Sequence, residues 1–147
     1  MDRGVAVLLT AFTGGFVALQ APINSMLGRA IGTWQAAFFS FAVGTLALAT
    51  IATLAKGGLG QVTEARHLSW YYFTGGLLGA AYITSVLVTV RSLGVGGVVA
   101  ATIAGQLAVS VVVDHFGLLG VDRQPVDAAR VVGIALLAVG TYLVVRD

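Results

Sequence analysis

Val95–Leu119 reads VGGVVAATIAGQLAVSVVVDHFGLL, a run with a single carboxylate, Asp114, and a single histidine, His115. At about 1.5 Å per residue a helix of this length covers the roughly 30 Å of a bilayer's hydrocarbon core. The run is continuous rather than alternating, which disfavours the ten-residue strands of a membrane β-barrel. Within it Gln106, Ser110 and Asp114 recur every fourth residue, and Thr102 extends the series. Each step of four drifts only about 40° around a helix, so these side chains form one polar stripe about 12 Å long between Gln106 and Asp114. A charge in hydrocarbon costs several kcal/mol or more, and such residues usually face a protein interior or a water-filled path.

The same composition holds on both sides of that run. Of 147 residues, 58% are hydrophobic and 10% charged, against about 25% charged in soluble domains. Twenty glycines without a collagen period suit helices that pack closely in lipid. A window of about 19 residues finds five spans, near 4–27, 33–55, 70–90, 95–119 and 126–145. The first has a charged start at Asp2-Arg3, but it is longer than the core of a cleaved signal peptide, about 7–15 residues, so it reads as a mature helix. The links are short. The longest, Lys56–Ser69, passes through Gly57-Gly58 and is followed by an aromatic anchor, Trp70-Tyr71-Tyr72. Pro125 suits the start of the fifth helix. No linker divides the chain, which reads as one transmembrane domain over 1–147.

Five crossings put the two ends of the chain on opposite sides. Arg3, Lys56, Arg66, Arg123 and Arg130 then fall on the amino-terminal side, and Arg29, Arg91 and Arg146 on the other. Five against three is a weak bias under the positive-inside rule. It fits either an ordinary N-in protein or a dual-topology one whose copies insert both ways and pair antiparallel. So short a chain needs a partner to enclose a path, which favours an antiparallel, ten-helix dimer with the inverted repeat that many transporters carry in one chain.

A second polar feature lies in the first helix. Gln20 and Asn24 share a face at i and i+4, and Pro22 between them removes a backbone donor and predicts a kink. Broken helices at membrane depth usually line a cavity; the alternative is a helix that ends near Gln20. The small-xxx-small pair Gly75 and Gly79 predicts close helix contact. Asp127 and Arg130, at i and i+3, predict a local ion pair. Structural readings stand beside the functional ones: interhelical hydrogen bonding for Gln106 and Ser110, an interfacial carboxylate for Asp114, and a headgroup contact rather than a proton relay for His115. Without cysteine and with two isolated histidines there is no metal site, no cofactor is implied, and no catalytic signature argues for an enzyme. The scattered net charge of +2 forms no basic stripe for nucleic acid.

Gln20-Ala21-Pro22-Ile23-Asn24, Gly75-Gly76-Leu77-Leu78-Gly79-Ala80, and Gly105-Gln106-Leu107 through Ser110 to Asp114-His115-Phe116-Gly117 together resemble the YdcZ-type branch of the bacterial drug/metabolite transporter superfamily. The likeness extends over essentially the whole chain, and the fourth-helix motif is its most specific element. Arg91-Ser92-Leu93-Gly94 departs from it, where many relatives carry a proline before the leucine-glycine. The resemblance implies an all-α inner-membrane protein, found in relatives as single genes, pairs or ten-helix fusions of opposite orientation. It supplies no substrate. The expectation is a multi-pass secondary transporter of a small organic solute, working as a homodimer or with a paralogue. Gln20, Asn24, Gln106 and Ser110 would offer neutral hydrogen bonds and Asp114 a cation or proton site. The alternatives are a passive channel and a non-transporting membrane subunit.

Overall fold

Backbone amides have no water to bond to in hydrocarbon, so a chain this apolar satisfies them within helices. The computed structural model describes residues 2–56 and 59–146, and among them there is no strand. The glycine pair Gly57-Gly58 of the predicted link lies outside the described residues. The order is α1 (Arg3–Ile31), α2 (Thr33–Lys56), 3₁₀ stretches at Gly60–His67 and Trp70–Phe73, α3 (Thr74–Phe116), a short 3₁₀ turn at Leu118–Gly120 and α4 (Ala128–Val145). Among the described residues, four helices are long and apolar enough to cross a membrane.

α3 stands where two separate helices were expected. Its 43 residues would run about 64 Å if straight, twice the roughly 30 Å hydrocarbon core. Gly94 alone inside it leaves helical dihedrals, at φ 66° and ψ 174°. The break falls at the predicted third-to-fourth turn and divides α3 into 74–93 and 95–116, each long enough for one crossing. The described residues thus hold four to five helices apolar enough to span a membrane, depending on whether α3 counts once or twice. A single glycine also joins α1 to α2: Gly32, at φ 99° and ψ 152°, caps α1 while its N–H donates to the Gly28 carbonyl.

Two compact units divide the chain, 1–91 and 92–147. In the first, α1 and α2 form a hairpin, and the buried cluster combines Ala36 and Ala37 of α2 with Ile83 and Leu87 of α3, with Leu27 of α1 packed against it. Small residues make the approach possible. A Cβ placed on Gly28 would lie 3.4 Å from Leu87 Cδ2 and 3.8 Å from Ala36 Cβ. Alanine therefore fits at ordinary contact distance, whereas a leucine would have to displace the packed neighbours. Gly28→Leu is expected to lower stability by about 1–3 kcal/mol, with Gly28→Ala close to neutral, as read by thermal melting in detergent. In the second unit, 95–116 and α4 form a hairpin tied by Thr141 Oγ1, which donates to the Ala100 carbonyl at 3.1 Å.

One open alternative is decided and two helix ends move. Pro22 lies inside α1, which continues with helical geometry to Ile31; a proline removes one bond, but the lipid still penalises an open backbone, so the helix does not end near Gln20. The fourth predicted helix ends at Phe116 because Gly117 adopts the left-handed conformation, φ 62°. The last helix starts at Ala128, three residues after Pro125, because Asp127 caps it by accepting the Arg130 N–H at 2.7 Å.

Candidate functional site

α1 exposes Gln20 and buries Asn24 one turn later. Gln20 lies on an open surface depression with Phe16, Val17, Leu19 and Ile23. Asn24 is 5% exposed, and its amide nitrogen has no hydrogen-bond partner. It lines a groove between α1 and α2 of about 450 Å³ with Leu27, Ile31, Phe39, Ser40 and Val43. Both residues belong to the first unit, whereas Gln106, Ser110 and Asp114 belong to the second.

The stripe on α3 is uneven. Gln106 and Ser110 are exposed and Asp114 is half-buried. Ser110 Oγ donates to the Leu107 carbonyl of its own helix at 2.9 Å, which satisfies the hydroxyl's donor. Asp114 Oδ2 accepts from Arg130 Nη1 at 3.4 Å. The expected Asp127–Arg130 ion pair is therefore corrected: Asp127 bonds the Arg130 backbone, and the guanidinium turns to Asp114 and to the Gln124 side chain and carbonyl. A helix's first turn carries free N–H groups that a carboxylate satisfies well, which leaves the arginine side chain free to reach elsewhere.

Around this pair the turn 117–127 is held from several directions. The Asp114 carbonyl accepts from the Gln124 N–H at 2.8 Å. Arg123 Nε donates to the His115 carbonyl at 3.0 Å, and the Val126 N–H donates to His115 Nδ1 at 3.3 Å. Asp114 and His115 thus occupy a clasp that joins the end of α3 to the start of α4. Gln124 and Arg130 were not singled out together with Asp114 from the sequence. The signal was present as an unpaired carboxylate near a helix end with a polar turn behind it, but the direction in which Arg130 points is set by the fold of the turn.

Of the predicted packing pair, a Cβ on Gly79 would lie 3.3 Å from Phe41 Cζ of α2, while Gly75 faces open space. Trp70, Tyr71 and Tyr72 are exposed, with the two tyrosine rings stacked at 4.5 Å. That leaves aromatic surface at the head of α3, the position an interfacial anchor takes.

A family model described as "Putative inner membrane exporter, YdcZ" matches residues 5–143. No curated protein and no solved structure matches the chain.

Proposed function

Because the chain belongs to the YdcZ family of inner-membrane exporters, we propose that it is a secondary transporter of a small organic solute, working by alternating access in an antiparallel dimer. The observation that carries this reading is burial. The spanning windows of α1, α2, the Trp70–Phe116 stretch and α4 are only 6%, 6%, 11% and 0% buried within the chain. Lipid covers some of that surface, but Gln20 and Gln106 are polar residues lying exposed within membrane-spanning helices. Uncovered polar groups in hydrocarbon are costly, and a second copy would shield them while giving a solute hydrogen bonds. The five-to-three distribution of positive charge is a weak bias compatible with inverted pairing.

In this reading Gln20, Asn24, Gln106 and Ser110 supply neutral hydrogen bonds. Asp114 is the cation or proton site, and Arg130 neutralises it in the state described. A cargo cation or proton would compete with Arg130 for the carboxylate, which couples loading to the clasp at the end of α3.

Since the sequence lacks cysteine, any introduced thiol is unique. Ser69→Cys and Arg29→Cys fall on opposite sides of the membrane by the count of crossings. With dual topology, an impermeant maleimide added to intact cells labels a comparable fraction of each. Labelling confined to one of the two would sink the inverted dimer. Saturable, exchangeable flux in proteoliposomes would separate a carrier from a channel.

A further inference from the structure

The hairpin of 95–116 and α4 leaves an open groove of about 530 Å³ between its two helices. Gly97 sets the spacing at one end, where a Cβ added to it would lie 3.6 Å from Val145 Cγ2. Deeper along the pair, Ala101 and Ala104 face Ala138 across the groove, and Tyr142 and Arg146 flank its other end. From Ala138 to Arg146 is about 12 Å along α4, close to the depth of one leaflet, about half of the roughly 30 Å core. Arg146 follows directly on the spanning window 128–145. The charged end of the groove therefore lies at the membrane surface and the alanine end points to the middle.

Polar groups are confined to that surface end. The Thr141 hydroxyl, the polar group at depth, is committed to the Ala100 carbonyl at 3.1 Å. The described carboxylates of this unit, Asp114, Asp122 and Asp127, belong to the far end of the hairpin, and none lines the groove. A solute with polar groups along its length would leave them unpaired there, whereas an acyl chain has none to leave. Ala101 and Ala104 also stand about 150° around their helix from the mean direction of Gln106, Ser110 and Asp114. The groove is thus turned away from the polar stripe. None of the α4 window is buried within the chain.

We infer that this groove holds an acyl chain of an anionic phospholipid, whose phosphate meets the Arg146 guanidinium and the Tyr142 hydroxyl. Arginine presents paired donors that match phosphate oxygens, and one arginine at the surface favours an anionic lipid by about fivefold. The chain restores to the alanine walls the dispersion contacts that an unfilled groove forfeits. Its occupant is a lipid rather than cargo, because the groove is one leaflet deep and ends without a polar group at the middle. The site goes beyond the transport reading and does not depend on it.

The test uses the purified full chain in detergent and a phosphatidylglycerol with a diazirine on one acyl chain, which inserts into neighbouring bonds under light. Labelled peptides are mapped by mass spectrometry. Unlabelled dioleoyl phosphatidylglycerol and dioleoyl phosphatidylcholine, which share their chains, serve as competitors. The expected result is labelling on 97–104 and 138–145 that phosphatidylglycerol suppresses about fivefold better than phosphatidylcholine. That preference should vanish in Arg146→Gln, a change at an exposed position. Ala138→Phe fills the groove, keeps the charge and should cut the labelling of both peptides. Labelling spread evenly over the apolar helices, equal competition in the wild type, or a preference that survives Arg146→Gln would each overturn the proposal. Undiminished labelling in a folded Ala138→Phe would do so too, since charge alone would then hold the lipid. Should that variant not fold, the wild-type map and the Arg146→Gln competition still decide. Lipid extracted with the wild type should be richer in anionic phospholipid than the host membrane; a free amphiphilic acid in its place would overturn the assignment to phospholipid.

Discussion

Gly94→Ala is expected to cost the fold about 1–3 kcal/mol, because φ 66° with ψ 174° is a region that in practice only glycine occupies. A Cβ at Gly94 would meet nothing within 4 Å, so the penalty is conformational rather than steric crowding by neighbours. The alternative open to the variant is to relax into helix, since alanine is the strongest helix former. That would join 74–93 to 95–116 as one continuous rod too long for a single crossing. Two readouts check this. Thermal melting in detergent should fall, and a carboxy-terminal reporter should lose its wild-type distribution across the membrane. An unchanged melting temperature together with unchanged reporter sidedness would show that the turn does not depend on this glycine. The break here rests on Gly94 itself, which alone inside α3 leaves helical dihedrals.

Arg130→Ala is expected to destabilise the second unit by about 1–2 kcal/mol, between the small worth of an exposed pair and the larger penalty of stranding a buried charge. The pair is intermediate in exposure, with side chains 30% and 34% accessible. Removing the guanidinium leaves the Asp114 carboxylate half-buried without its partner, and it also frees Gln124, which the same arginine holds at two points. Adding Asp114→Asn to Arg130→Ala should recover a portion of the loss, the signature of an uncompensated charge rather than of lost packing. A double variant no more stable than Arg130→Ala alone would place the cost in packing. Asp114→Asn by itself separates the two roles given to this carboxylate. Under the proposed transport reading it should abolish proton-coupled flux while the proposed dimer still assembles. Retained coupling in that variant would confine Asp114 to the clasp.

The legible elements share a physical cause. Each apolar run long enough to cross hydrocarbon became helix, because lipid leaves the backbone no other way to bond. The turn falls within 91–94, the gap left between the spans 70–90 and 95–119, and the family likeness rests on the motifs of the first, third and fourth predicted helices. Less legible were the ends. α1 passes through Pro22 because the helix on either side is long enough to absorb one missing bond. α4 begins at Ala128 because Asp127 serves as its cap, and a cap outranks the preference of Pro125 for a first turn.

Side-chain partners are where periodicity stopped. Gln20 and Asn24 sit one turn apart and are equally polar in sequence, yet one is exposed and the other buried against α2. Spacing says that two residues share a helix face; it does not say which neighbour covers that face or how deep it lies. Arg130 was read with Asp127 for the same reason, since local spacing favours i and i+3, while the guanidinium reaches back across the turn to Asp114.

The sequence by itself determined that this is an all-helical membrane protein, because membrane insertion depends on length and hydropathy, both linear properties of the chain, and its polar motifs carried the likeness to the inner-membrane YdcZ family. Only the tertiary structure decided that Asp114 is neutralised by Arg130, that Asn24 carries an unmet donor beside an apolar groove, and that single glycines break the chain at 32 and 94. Those facts depend on distances between residues far apart in sequence or on dihedral angles at one residue, and composition does not encode either.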